Sequence, residues 1–198
     1  MLNKIVLITV CAVSAFAMHT AEININDKDL EVGAKLDLGQ FNSTVEPDTT
    51  FVGFTYLNGD EQNSEIQRDI NGYLEANFLM RREIQDSGVT FGIGLKANYT
   101  KANDYSFMSI PLGLELGYRI PTAIPVSLNA KIYYAPESLS ILDADSFLEY
   151  RLDVNIEIIE RGFIVLGYRN IDTNYDVSGT SSNLNYNSSA YFGFKFAF

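Results

Sequence analysis

The stretch Val89–Thr100, VTFGIGLKANYT, decides the fold. Val89, Phe91, Ile93, Leu95, Ala97 and Tyr99 fall on one side of an extended chain. Thr90, Gly92, Gly94, Lys96, Asn98 and Thr100 fall on the other. Successive side chains of a strand point to opposite faces, so a period of two marks a strand with one apolar and one polar face. Met108–Arg119, MSIPLGLELGYR, repeats the pattern: Met108, Ile110, Leu112, Leu114, Leu116 and Tyr118 oppose Ser109, Pro111, Gly113, Glu115, Gly117 and Arg119. Val126–Tyr134 and Leu148–Ile158 obey the same rule, and no apolar stripe of helical period has comparable length.

Working outward, nine such runs cover 30–39, 50–58, 69–80, 89–100, 107–120, 126–135, 146–159, 162–171 and 185–198. The connections 81–88, 121–125 and 160–161 are short, whereas 59–68 and 172–184 are longer, polar and net acidic. Outer-membrane barrels have short turns at one end, longer loops at the other, and an even number of strands. Ile23–Asn26, followed by the turn-like Asn26-Asp27-Lys28-Asp29, supplies a short first strand. The expected fold is all-β: a transmembrane antiparallel up-and-down β-barrel of ten strands, with eight as the alternative count.

The N-terminus reads as an address. Lys4 is a positive start, Ile5–Val13 an apolar run, and Ala15-Phe16-Ala17 the small-x-small pattern of a cleaved secretory signal. The run is too short to span a bilayer as a helix, which takes about 20 residues. The expected organisation is a signal peptide over 1–17 and one barrel domain over 18–198. The one cysteine, Cys11, leaves with the leader, so the exported chain has no disulfide or thiolate chemistry. A formal charge of −11 argues against nucleic acid, whose phosphates require basic patches.

Alternation alone does not say which face points outward. The apolar set is too bulky for the interior of a small barrel, which holds only a few layers of side chains. The opposite set is rich in glycine (Gly92, Gly94, Gly113, Gly117, Gly167, Gly193), as a narrow lumen requires. Following the strands up and down places Tyr56, Tyr99, Tyr134, Tyr150, Tyr168 and Tyr186 at one level, an aromatic girdle near the loop ends. Phe78, Phe91, Tyr118 and Phe198 fall towards the opposite rim. The last strand runs Ala190, Phe192, Phe194, Phe196, Phe198 at every second position. Phe194, Phe196 and Phe198 look like a C-terminal signal read by the outer-membrane assembly machinery.

The inward set contains Glu75, Lys96, Glu115, Arg119, Lys131, Glu149, Arg151, Asp153, Glu157, Arg169 and Lys195. Both signs occur on strands expected to be neighbours. A network of ion pairs across the lumen follows, because an unpaired buried charge is costly. The same residues could instead line a narrow pore. No catalytic site is expected: the one histidine, His19, precedes the barrel, and Glu149 and Asp153 sit roughly 13 Å apart along a strand. The acidic groups Asp60, Glu61, Glu65 and Asp143, Asp145 lack the spacing of a calcium loop, so no metal and no cofactor are expected.

Several short pieces carry a family likeness: Asn26-Asp27 before Leu30-Glu31, Tyr134-Ala135-Pro136-Glu137, Glu149-Tyr150-Arg151 and Gly167-Tyr168-Arg169. In their order and in total length the chain resembles the YfaZ family of small outer-membrane proteins. That resemblance implies an outer-membrane barrel without a defined activity, and so no catalytic residues to carry over. The expected role is structural or surface-interacting, in the outer membrane of a Gram-negative bacterium. Its partners would be outer-membrane lipid and, during biogenesis, the assembly machinery. The alternatives are a narrow porin-like diffusion channel and a soluble periplasmic ligand-binding β-barrel.

Overall fold

The computed structural model describes residues 19–58, 72–102, 104–177 and 180–198. The leader expected at 1–17 and the loop acids Asp60, Glu61 and Glu65 lie outside the described residues. The strands are β1 (Thr20–Ile25), β2 (Leu30–Asp37), β3 (Thr50–Asn58) and β4 (Tyr73–Glu83). Then come β5 (Val89–Ala102), β6 (Tyr105–Ser109), β7 (Leu112–Ile120) and β8 (Val126–Ala135). The last four are β9 (Ser140–Leu142), β10 (Ser146–Ile159), β11 (Gly162–Val177) and β12 (Thr180–Ala197).

Ten of them form a ring in the order β4-β3-β2-β1-β12-β11-β10-β8-β7-β5, which closes where β4 pairs β5. Every pairing is antiparallel. The first strand, with the weakest signal in the sequence, fills the place between β12 and β2, with Ile23 opposite Phe194 and Val32. His19 and Phe198 extend that seam by exchanging backbone hydrogen bonds of 3.0 and 2.8 Å.

One expected strand, 107–120, is interrupted. Pro111 has no N–H to donate, and β6 and β7 flank the Ile110-Pro111 step while both pair β5. The Ile110 amide turns to the Leu139 carbonyl at 2.8 Å, and β9 takes over from β8 as the neighbour of β6. Within the segment 172–184, expected as a loop, residues 172–177 and 180–184 are strand instead: β11 and β12 stay paired from Asp172↔Asn185 to Val177↔Thr180. Its outward residues Asn174 and Asp176 are polar while Thr173 and Tyr175 point inward, so the pattern resembled a loop.

The wall is inverted relative to a soluble protein. Leu112, Leu114 and Ile132 are 54, 46 and 50 % exposed, while Glu149 and Arg169 are 0 % exposed. The soluble ligand-binding barrel fails on this point, since its apolar face would be interior. The fold is a transmembrane-type barrel, with its apolar face turned to lipid.

Glycines let the inner face carry large rings. A side chain on Gly94 or Gly113 would strike the ring of Tyr133, which lies flat across both, and one on Gly167 would strike Tyr191. Added to Gly113, it would also meet the Ile132 carbonyl, which is backbone and cannot move aside. At Gly33 the nearest atom would stand at an ordinary 3.5 Å. Gly113→Ala should therefore destabilise the barrel by about 1–3 kcal/mol, whereas Gly33→Ala should be neutral or stabilising. Urea unfolding of the two variants in detergent micelles, followed by gel mobility without heating, measures the difference.

Candidate functional site

The lumen is layered. At the loop end, where the connections 26–29 and 136–145 lie, it is filled by a cluster of Leu57, Tyr73, Phe107, Phe147, Tyr175 and Tyr186 with their smaller neighbours. The Phe107 and Tyr175 rings meet edge to face at 5.2 Å, and Tyr73 lies 5.4 Å from Tyr186 and stacks on Phe147 at 6.4 Å. These residues come from β3, β4, β6, β10, β11 and β12, so the cluster bridges the ring from side to side.

Below the cluster runs a continuous chain of ion pairs. Lys96 on β5 joins Glu75 on β4 at 2.9 Å to Glu149 on β10 at 2.6 Å. Arg151 joins Glu149 at 2.6 Å to Glu31 of β2 at 2.8 Å. Arg169 of β11 then joins Glu31 at 3.2 Å to Asp29 at 3.5 Å, in the turn before β2. All seven groups are buried. Neutral donors and acceptors complete the set: Asn24 donates to Glu31 at 2.8 Å, Arg169 Nε donates to Asn187 at 2.7 Å, and Asn187 donates to Asp29. Lys96 also stands over the Tyr133 ring at 4.0 Å, and the Tyr133 hydroxyl donates to Glu115 at 2.6 Å.

The turn-end half is looser and lined by polar and charged groups. A cavity of about 50 Å³ lies under the ion-pair chain between Lys35, Glu22, Glu115 and Lys131. A vestibule of about 440 Å³ opens beyond it, lined by Arg119, Asn129, Asn155, Glu157 and Lys195.

Of the charged residues singled out in the sequence, Glu75, Lys96, Glu149, Arg151 and Arg169 enter the buried chain. Glu115 and Lys131 sit opposite each other on β7 and β8. Asp153 takes a 2.7 Å hydrogen bond from Asn129, and Lys195 stands 5.3 Å from the Phe163 ring. Arg119 is on the inner face but exposed at the vestibule mouth, apart from the network. The reading missed Glu31, Asp29 and Lys35, although Glu31, Gly33, Lys35 and Asp37 alternate with Leu30, Val32, Ala34 and Leu36 and so carried the same signal.

Tyr99, Tyr134, Tyr150 and Tyr168 are exposed on the outer face, and Tyr56 is half-buried there. Tyr186 is a correction: it points inward and belongs to the loop-end cluster. The register between β11 and β12 slips between Ile171 and Asp172, leaving Tyr186 as the extra residue of a bulge. One extra residue reverses the phase of everything before it. Phe192, Phe194 and Phe196 face outward, and Phe198 lies 6.0 Å edge-on from the His19 ring. Among the described residues, no group of three or more His, Cys, Asp or Glu is placed to hold a metal.

The family model described as YfaZ precursor matches residues 3–198. The chain belongs to the YfaZ family. A search of the curated proteins finds no match. Among solved structures, this YfaZ-family chain is similar to a KdgM porin, determined in complex with disordered oligogalacturonate. The two share 8% identity at a TM-score of 0.41, over 91% of this chain and 98% of that one.

Buried ion pairs add little net stability, but removing one partner strands the others at a cost of about 3–5 kcal/mol. Lys96→Met leaves both Glu75 and Glu149 short of a cation and should cost that much. Arg119→Met, at the open vestibule, should stay within about 0.5 kcal/mol of the parent. Urea unfolding monitored by tyrosine fluorescence compares them, and equal midpoints would deny the network a structural role.

Proposed function

We propose that this YfaZ-family chain is an outer-membrane β-barrel of a Gram-negative bacterium with a filled, non-conducting lumen and a structural or surface-interaction role. The observation that carries the reading is the loop-end cluster, in which aromatic rings from five strands, with Leu57 from a sixth, pack together across the lumen. The chain of ion pairs beneath it supports the same reading, since each charge is committed to a partner.

A surface role draws on the extended β11–β12 hairpin. Its ladder of amides includes Asn185 donating to Asn170 and Asp172 at 3.0 and 2.7 Å, and Asn183 donating to Asn174 at 2.8 Å. These bonds cross-link the two strands beyond the exposed tyrosines. The family match supports export, with residues 1–17 as the removable leader. A narrow channel is the second reading, favoured by the charge-lined cavities of the turn-end half.

Planar-bilayer conductance separates the two. The purified protein should show no discrete steps, and the double variant Phe107→Ala, Tyr175→Ala should acquire them as the cluster opens. Steps in the parent protein, lost on changing Arg151, would establish the channel instead. Orientation is read by cysteine labelling of intact cells with an impermeant maleimide. Ser138→Cys, in the connection after β8, should react, and Ser87→Cys, in the turn after β4, should not. The reverse pattern would invert the topology.

A further inference from the structure

The outer wall is not smooth throughout. At the turn end, a groove of about 880 Å³ lies between the wall of β4, β5 and β7 and the connection 38–49. Its floor is Phe78, Met80, Phe91, Ile93 and Leu112, all of them outward-facing residues of the apolar band. Its overhang is Thr44, Val45 and Glu46, with Arg82 beside them.

The overhang is built, not draped. The Asp37 carboxylate accepts from the amides of Gly39 at 2.9 Å and Asp48 at 2.8 Å, pinning both ends of the connection. Asp48 pairs Arg81, and the Val45 amide donates to Asn42 at 3.0 Å. The groove therefore exists before anything enters it.

We infer that this groove binds one glycerophospholipid carrying a zwitterionic, primary-amine headgroup. An apolar concavity on a lipid-facing wall is filled by an acyl chain, because a void there forfeits dispersion contacts on one side. The headgroup follows from charge. Arg82 and Glu46 stand side by side at 3.6 Å, with side chains 81 and 70 % exposed. So open an ion pair holds its partners weakly, and both are available to a better-matched ligand. A guanidinium fork fits a phosphate, and the adjacent carboxylate accepts from an ammonium. An anionic headgroup would satisfy Arg82 and be repelled by Glu46, and a quaternary amine would bring no N–H to donate. The inference needs lipid around the wall but not a closed lumen, so a conducting protein would leave it standing.

The test places the full chain in phosphatidylcholine nanodiscs containing small equal fractions of phosphatidylethanolamine and phosphatidylglycerol. The protein is then extracted in mild detergent and the co-purifying lipid counted by mass spectrometry. Phosphatidylethanolamine should be enriched about tenfold over its bulk fraction, equivalent to about 1.4 kcal/mol of preference. Glu46→Gln should lose that enrichment while gaining phosphatidylglycerol, and Arg82→Gln should lose both. Ile93→Trp, which fills the groove, should abolish retention, whereas Leu166→Trp on the far wall should not. Gel mobility without heating certifies that each variant is folded. Bulk-like lipid on the parent protein, phosphatidylglycerol preferred over phosphatidylethanolamine, or unchanged enrichment in Arg82→Gln and Glu46→Gln would overturn the assignment.

Discussion

Hydrocarbon offers no partner to a backbone N–H or C=O, so each strand immersed in it needs a neighbour on both sides. Two pairings meet that demand for the whole sheet: β1 with β12, which joins the two ends of the chain, and β4 with β5. Without β1, the apolar strand β12 would present an open edge along its last residues, and a sheet edge recruits other chains. Closure also explains how loosely the outer face is composed. Leucine, isoleucine, phenylalanine and valine alternate there without interlocking, because lipid tails adapt to whatever shape they meet.

The same closure makes the interior narrow, and narrowness sets its chemistry. Two large rings lie over glycines of the neighbouring strands, Tyr133 over Gly94 and Gly113 and Tyr191 over Gly167. Charges sit in partnership: Lys96 and Arg151 each bridge carboxylates of two strands, and Arg169 bridges Glu31 of β2 and Asp29 of the turn before it. The chain thus links β2 to β10 and β11 across the ring. Rings occupy the loop end and charged and polar groups line the turn end, so the two mouths are chemically unlike.

Much of this was readable from alternation. The runs at 50–58, 126–135 and 146–159 coincide with β3, β8 and β10, because each crosses the apolar band for nearly its whole length. Reading failed where the band ends or the phase changes. Beyond the band the outer side chains of β11 and β12 face water, and asparagine and serine there look like a loop. At Tyr186 a single bulged residue turned a ring from the outer face to the inner, and no local feature of Asn185-Tyr186-Asn187 announces it. Pro111 did announce a break, through its missing donor, but not that Ser140–Leu142 would step in beside β6.

Sequence by itself determined the two-faced strands, their order along the chain, and the separation of apolar from charged residues. Those are local properties, written in a two-residue period that survives in any barrel built from these strands. The tertiary structure alone decided which charges meet. Arg151 and Glu31 are 120 residues apart and Arg169 and Asp29 are 140 apart. Their contacts exist because ring closure sets the register of every strand at once, and register is a property of pairs of strands that no single strand encodes.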